Sequence, residues 1–116
     1  MNRAELLAKA EPATKQISIA GLGELTIKKL TKSELCRFQQ WRQPKGKLND
    51  ERDSQRDLKL IQMSVLDGGE LMFADSELAL LGDLPGKEMD ELAYEVMLFN
   101  GYMTEVDVDL LGKLES

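Results

Sequence analysis

A chain that carries out acid–base, nucleophilic or metal chemistry near neutral pH commonly uses histidine, and none of these 116 residues is histidine. Ser-His-Asp and Cys-His pairs, histidine metal ligands and an imidazole general base are therefore excluded. Cys36 is the single cysteine, so no internal disulfide is possible, in keeping with a reducing compartment. Nothing in the sequence identifies a residue that would activate its thiolate, and it reads as a small core or boundary residue. Glu105, Asp107 and Asp109 alternate with Val106 and Val108 in a spacing that superficially suggests a calcium loop. The EF-hand glycine after the third carboxylate and the distal glutamate are missing, so the run reads as a solvated acidic tail. Gly68-Gly69 lacks the Lys-Ser/Thr of a phosphate loop, and no nucleotide is assigned to it. The expectation is a protein with no enzymatic activity, no metal and no cofactor.

What remains is chemistry of binding. Lys28, Lys29, Lys32, Arg37, Arg42, Lys45 and Lys47 face only Glu34 in the same stretch, with Trp41 among them. Such a cluster suits a nucleic-acid patch, a solvated face or a contact with an acidic surface. A net charge of −6 opposes a polyanion at long range, which makes nucleic acid an unfavoured partner. Charge is also unevenly spread: residues 1–59 hold 13 Lys/Arg and 8 Asp/Glu, whereas residues 60–116 hold 2 and 13. Either the two halves pack together with solvated charged faces, or opposite ends of neighbouring copies attract and form a head-to-tail homo-oligomer that salt would weaken.

The elements that must position these residues centre on Leu58 to Gly101. Leu58, Ile61, Val65 and Leu66 recur at helical spacing, and Asp67-Gly68-Gly69 is expected to end that helix. Leu71-Met72-Phe73 is too short to classify by period. Asp75 is a candidate N-cap for a short helix through Leu81, with Gly82 as its C-cap. After Leu84-Pro85-Gly86, a helix with Met89, Leu92, Ala93, Val96 and Phe99 on one face runs to Asn100-Gly101.

Upstream, residues 1–16 read as a short helix or flexible arm with Pro12 limiting any helix begun at Arg3. Ile17-Ser18-Ile19 and Leu25-Thr26-Ile27 alternate around a glycine-containing turn and predict a β-hairpin over 17–30, the only sheet expected. Its edge is either covered by its own domain or a contact between subunits. Thr31 with Glu34 forms a capping box, stapled by Leu30 and Leu35, so a helix should start there. Gln43-Pro44-Lys45-Gly46 should break it, and charge-rich Leu48 to Asp57 reads as a long loop. A chain of this length fits one domain, expected to be mainly α-helical with an N-terminal β-hairpin, over residues 17–103, followed by the acidic 104–116 tail. No apolar run reaches the roughly 18 residues of a membrane span, and Met1 to Ala10 lacks a secretory core, so a cytoplasmic location is expected.

The order of these features resembles a known family. A helix, the acidic Asp67-Gly68-Gly69 turn, the apolar run ending in Phe73, the Asp75–Leu81 helix, Gly82-Asp83-Leu84-Pro85 and a helix ending in Leu98-Phe99-Asn100-Gly101 are similar to the tail assembly chaperones of long-tailed, non-contractile, lambda-like phages. The resemblance covers roughly residues 24–102. It implies a chaperone that holds the tape-measure protein soluble in the bacterial cytoplasm during tail assembly and is not expected in the mature virion. It also implies a minor, C-terminally extended product of a ribosomal frameshift that engages tail-tube subunits, for which Leu111-Gly112-Lys113 offers a possible slippery codon run. Methionine either fills core, as expected for Met89, or adapts to varied apolar partners. The resemblance favours the second use in a shallow groove for amphipathic helices, with Trp41, Met63, Met72, Phe73, Phe99, Tyr102 and Met103 as candidates. The alternative is a small regulatory or DNA-associated protein using the basic 28–47 region.

Overall fold

The structure, a computed structural model, describes residues 1–11 and 13–101. Helix α1 (Arg3–Ala8) leads into a hairpin of β1 (Thr14–Ile19) and β2 (Gly23–Lys28). Helix α2 (Lys32–Arg42) follows, then a 3₁₀ turn (Pro44–Gly46), α3 (Asp50–Ser54) and α4 (Arg56–Ser64). A second hairpin, β3 (Val65–Asp67) with β4 (Glu70–Leu71), precedes a 3₁₀ turn (Asp75–Glu77), α5 (Leu78–Gly82) and α6 (Gly86–Phe99).

The expected mainly α fold with one two-stranded hairpin is corrected by the strand pairing. Among the described residues four strands form one antiparallel sheet in the order β1-β2-β3-β4, and the domain is mixed α/β, about 56% of these residues being helical and 17% strand. The physical reason lies at Val65. The helix predicted to run through Leu66 stops at Ser64, and the β-branched Val65 pairs instead with Ile27 of β2, both buried. Asp67-Gly68-Gly69 is accordingly no helix cap. Gly68 and Gly69 sit at φ 62° and 89°, the two positive values that a tight hairpin turn between β3 and β4 requires.

Local chemistry accounts for the other elements. Thr31 Oγ1 accepts from Glu34 N at 3.2 Å and Glu34 Oε1 accepts from Thr31 N at 2.9 Å, the complete capping box that starts α2. Asn49 Oδ1 accepts from Arg52 N at 3.0 Å and starts α3, so the stretch predicted as a loop is partly helical. Asp75 does not cap the next turn as predicted; Ala74 N donates to Glu77 Oε1 at 2.8 Å, and Gly82 is the last helical residue rather than the cap. Strand β1 begins three residues before the predicted hairpin.

The core lies between the sheet and the helices. Ile17, Ile19 and Ile27 from the first hairpin meet Leu60, Ile61 and Met63 of α4 and the predicted face of α6, Met89, Leu92, Ala93 and Val96. Met89 fills core as expected. Asn100 ties the end of α6 to the β2–α2 junction by accepting from Leu30 N at 2.7 Å and donating to Val96 O at 2.8 Å. Cys36, predicted at the core or its boundary, is exposed on α2. No helix of the described residues is long and apolar enough to cross a membrane.

Candidate partner-binding clefts

Helix α4 is buried on all sides from Lys59 to Ser64, so its polar side chains need partners inside the protein. Lys59 Nζ donates to Gln62 Oε1 at 2.9 Å, one turn further on, and to Asp75 Oδ1 at 3.2 Å. Gln62 Nε2 in turn donates to Phe73 O at 3.1 Å. Met72 N donates to Val65 O at 3.0 Å and extends the second hairpin by one bond. Three of these contacts hold the short segment Leu71–Asp75, two against α4 and one against β3, although it contains little regular structure of its own.

Leu71–Asp75 contributes to two clefts. One, of about 290 Å³, is lined by Glu34, Arg37, Trp41, Lys59, Met63, Leu71 and Asp75. The other, of about 120 Å³, is almost wholly apolar and is walled by Leu22, Leu25, Met72, Phe73, Leu84 and Met89 above the core residues Ile61, Val65, Leu81 and Leu92. Leu71, Met72 and Leu84, which line these clefts, are exposed.

The predicted binding residues divide between these places. Trp41 and Met63 share the first cleft, but Met63 is buried, so it serves as cleft wall and core rather than as a free surface residue. Met72 and Phe73 line the second. Phe99 lines neither; it lies by the β2–α2 junction with Lys29 Nζ 5.4 Å from its ring centroid. Tyr102, Met103, the 104–116 tail and Leu111-Gly112-Lys113 lie outside the described residues. The clefts also take in residues that choice by type does not reach, among them Lys59, Asp75, Leu71 and Leu84. Lys59 carries a signal, since it and Gln62 are long polar residues three apart inside the largely apolar Leu58–Val65 run.

Trp41 is held firmly. Its ring stacks on Phe38 with centroids 6.4 Å apart and planes 18° from parallel. The Lys59 ammonium lies 5.6 Å and the Arg52 guanidinium 5.9 Å from its centroid, distances at which cations are attracted to the ring face. Arg52 Nη1 also donates to Trp41 O at 3.0 Å.

Several cations of the basic 28–47 stretch are engaged by their own chain. Lys28 Nζ bonds to Glu34 Oε2, and Arg42 grips Asp53 Oδ1 through Nε and Nη2 at 2.9 and 2.6 Å. Burial pushes the Glu34 carboxyl up, but the hydrogen bonds from Lys28 and Thr31 and the charge of Lys28 outweigh it and hold the group below its ordinary value. Lys15–Glu95 at 3.9 Å and Lys59–Asp75 join the basic and acidic halves of the chain. Among the described residues, no group of three acidic or cysteine side chains is arranged to hold a metal ion.

The chain matches no family model, no curated protein and no solved structure.

Proposed function

We propose that this protein is a non-enzymatic phage tail assembly chaperone that takes amphipathic helical segments of the tape-measure protein onto the face around Leu71–Asp75. The observation that carries the reading is the apolar cleft of Met72, Phe73, Leu84 and Leu22, with exposed Leu71 next to Met72 in the chain. Apolar side chains left open in this way suit a helix-in-groove contact with a partner that would aggregate if bare. The resemblance of motif order over residues 24–102 supplies the partner's identity. In this reading the protein acts in the cytoplasm of an infected or lysogenic bacterium and is left behind by the mature virion. A frameshifted, extended form recruits tail-tube subunits. The uneven charge favours head-to-tail contacts between copies.

Co-expression with the long helical protein encoded downstream tests it. The tape-measure protein should become soluble and co-purify, and Met72→Glu or Leu84→Glu should return it to the pellet while this chain stays folded. Continued insolubility with both this chain and any extended product would refute the proposal.

A further inference from the structure

The cleft beside Trp41 differs from its apolar neighbour in containing a buried cation. The Lys59 side chain is only 9% exposed, whereas that of its carboxylate partner, Asp75, is 88% exposed. Asp75 thus stays largely hydrated while it pairs, and an ion pair of that kind contributes little. Arg37, on the same cleft, is 69% exposed, and the carboxylate nearest it is Glu34 Oε2 at 3.9 Å. Glu34 is already committed to Lys28 and to the Thr31 backbone. Two cations therefore border a cleft whose second carboxylate, Asp75, pairs with Lys59 while remaining largely exposed. The remaining walls are the ring of Trp41, Met63 and exposed Leu71.

We infer that this cleft accepts an acidic side chain of a docked amphipathic helix, its carboxylate displacing Asp75 from Lys59 and reaching Arg37 while its apolar neighbours cover Trp41 and Leu71. A carboxylate carried into a cleft by a covering helix loses water and pairs more strongly with the ammonium than Asp75 does. The inference rests on the reading of this face as a helix-docking surface, though not on the identity of the partner. It adds a sequence rule for that partner: an acidic residue with apolar residues three or four positions away.

Trp41 is the only tryptophan of the chain, so its emission reads the cleft without a label. The probe is a helical peptide of about five turns, built from Leu and Ala with one central Glu, and its Glu→Gln twin, each titrated to ~1 mM, where a millimolar Kd is still measurable. The Glu peptide should shift the emission, and the Gln peptide should bind about tenfold more weakly, the scale of one charge-assisted hydrogen bond. Lys59→Met should cause a similar loss. Asp75→Asn should do the opposite and tighten binding about two- to fivefold, because it removes the competing carboxylate at an exposed position. If Lys59→Met does not fold, the Asp75→Asn sign and the peptide pair still decide. Equal binding of the two peptides, or weaker binding by Asp75→Asn, overturns the carboxylate site and leaves helix docking standing. A silent tryptophan with both peptides overturns this cleft's part in docking altogether. Saturation of the same shift by octanoate alone, with no response to either peptide, would assign the site to small amphiphilic acids and overturn the helix as its source.

Discussion

Replacing Gln62 with leucine removes the hydrogen bond by which it holds Phe73 O, and the one it accepts from Lys59 within α4, with little change in packed volume. The Gln62 side chain is fully buried, and leucine is close to it in size, so the cavity term is small. Phe73 O loses its donor, but Phe73 is only half-buried and its carbonyl can turn to water, which places this loss near ~1 kcal/mol. Lys59 Nζ loses an acceptor at 2.9 Å and keeps Asp75 and the Trp41 face, a charge-assisted bond contributing about 2 kcal/mol. Together the change should cost about 3 kcal/mol. With an unfolding entropy of roughly 2.1 cal/mol/K per residue over the whole chain, Tm should fall by about 12 °C. Thermal and urea melts followed by circular dichroism measure this. Limited proteolysis should show cleavage moving into the Leu71–Leu84 stretch. A fall below about 4 °C, equivalent to about 1 kcal/mol, with unchanged protease resistance, would refute the idea that Gln62 anchors this segment.

Substitutions at four other positions, Thr31, Glu34, Gly21 and Gly86, test the rest of the fold. Thr31→Ala should cost about 1 kcal/mol in a urea melt, and the added cost of Glu34→Ala should be smaller in that background than alone, because the capping box is reciprocal. The depressed Glu34 carboxyl contributes stability that is complete above the ordinary Glu value of about 4.3 and disappears as pH falls through its lower folded value. Glu34→Gln should therefore flatten the acid limb of the stability profile below that pH and lower stability by a constant amount above it, as read from urea midpoints. Gly21 has φ +96°, and an added Cβ would lie 3.0 Å from Glu88 Oε1, so Gly21→Ala should destabilise by about 1–2 kcal/mol. Gly86, with open space around it at the start of α6, should gain about 0.4–1 kcal/mol on change to Ala, and matched melts compare the two.

What is legible in the sequence is what neighbouring residues decide among themselves. The Thr31–Glu34 box and the Met89–Val96 face each lie within a few turns of chain, and both elements form where the local pattern puts them. Val65 and Leu66 are ambiguous, since the pair fits a helical period after Ile61 as well as a strand before Gly68. What decides between them is pairing with Ile27, far away in the chain, which no local pattern contains. Helix α3 escapes a sequence reading for the opposite reason. It buries no residue, so it has no apolar period to read, although Asn49 with Asp50 and Glu51 in the first turn is a start signal. Of the residues chosen by type, Trp41, Met72 and Phe73 line clefts and Phe99 lines neither, because type says nothing of which end of a helix faces which cleft. Lys59 and Gln62 stand out in the sequence only as polar residues inside an apolar run, and their partners, Asp75 and Phe73 O, lie too far along the chain for a local pattern to supply.

The burial of α4 links that cleft to the stability of the domain. Strand β4 is two residues long and the following 3₁₀ turn three, too short to hold Leu71–Glu77 in place by their own hydrogen bonds. The segment is held because Gln62 is fully buried and Lys59 nearly so, and both find partners in it, at Phe73 O and Asp75. A helix that covers Leu71 and Met72 from outside therefore stabilises the Gln62–Phe73 and Met72–Val65 bonds, even where its carboxylate replaces Asp75 on Lys59. A bound helical segment should raise the unfolding free energy by the mass-action amount, about 2.7 kcal/mol at a hundred times its Kd. It should also slow amide exchange at Met72 N, which bonds Val65 O, more than at the first-hairpin amides of β1 and β2. Exchange that slows evenly across both hairpins would mean that the whole domain responds to the partner, and that Leu71–Asp75 is no more its contact than any other segment.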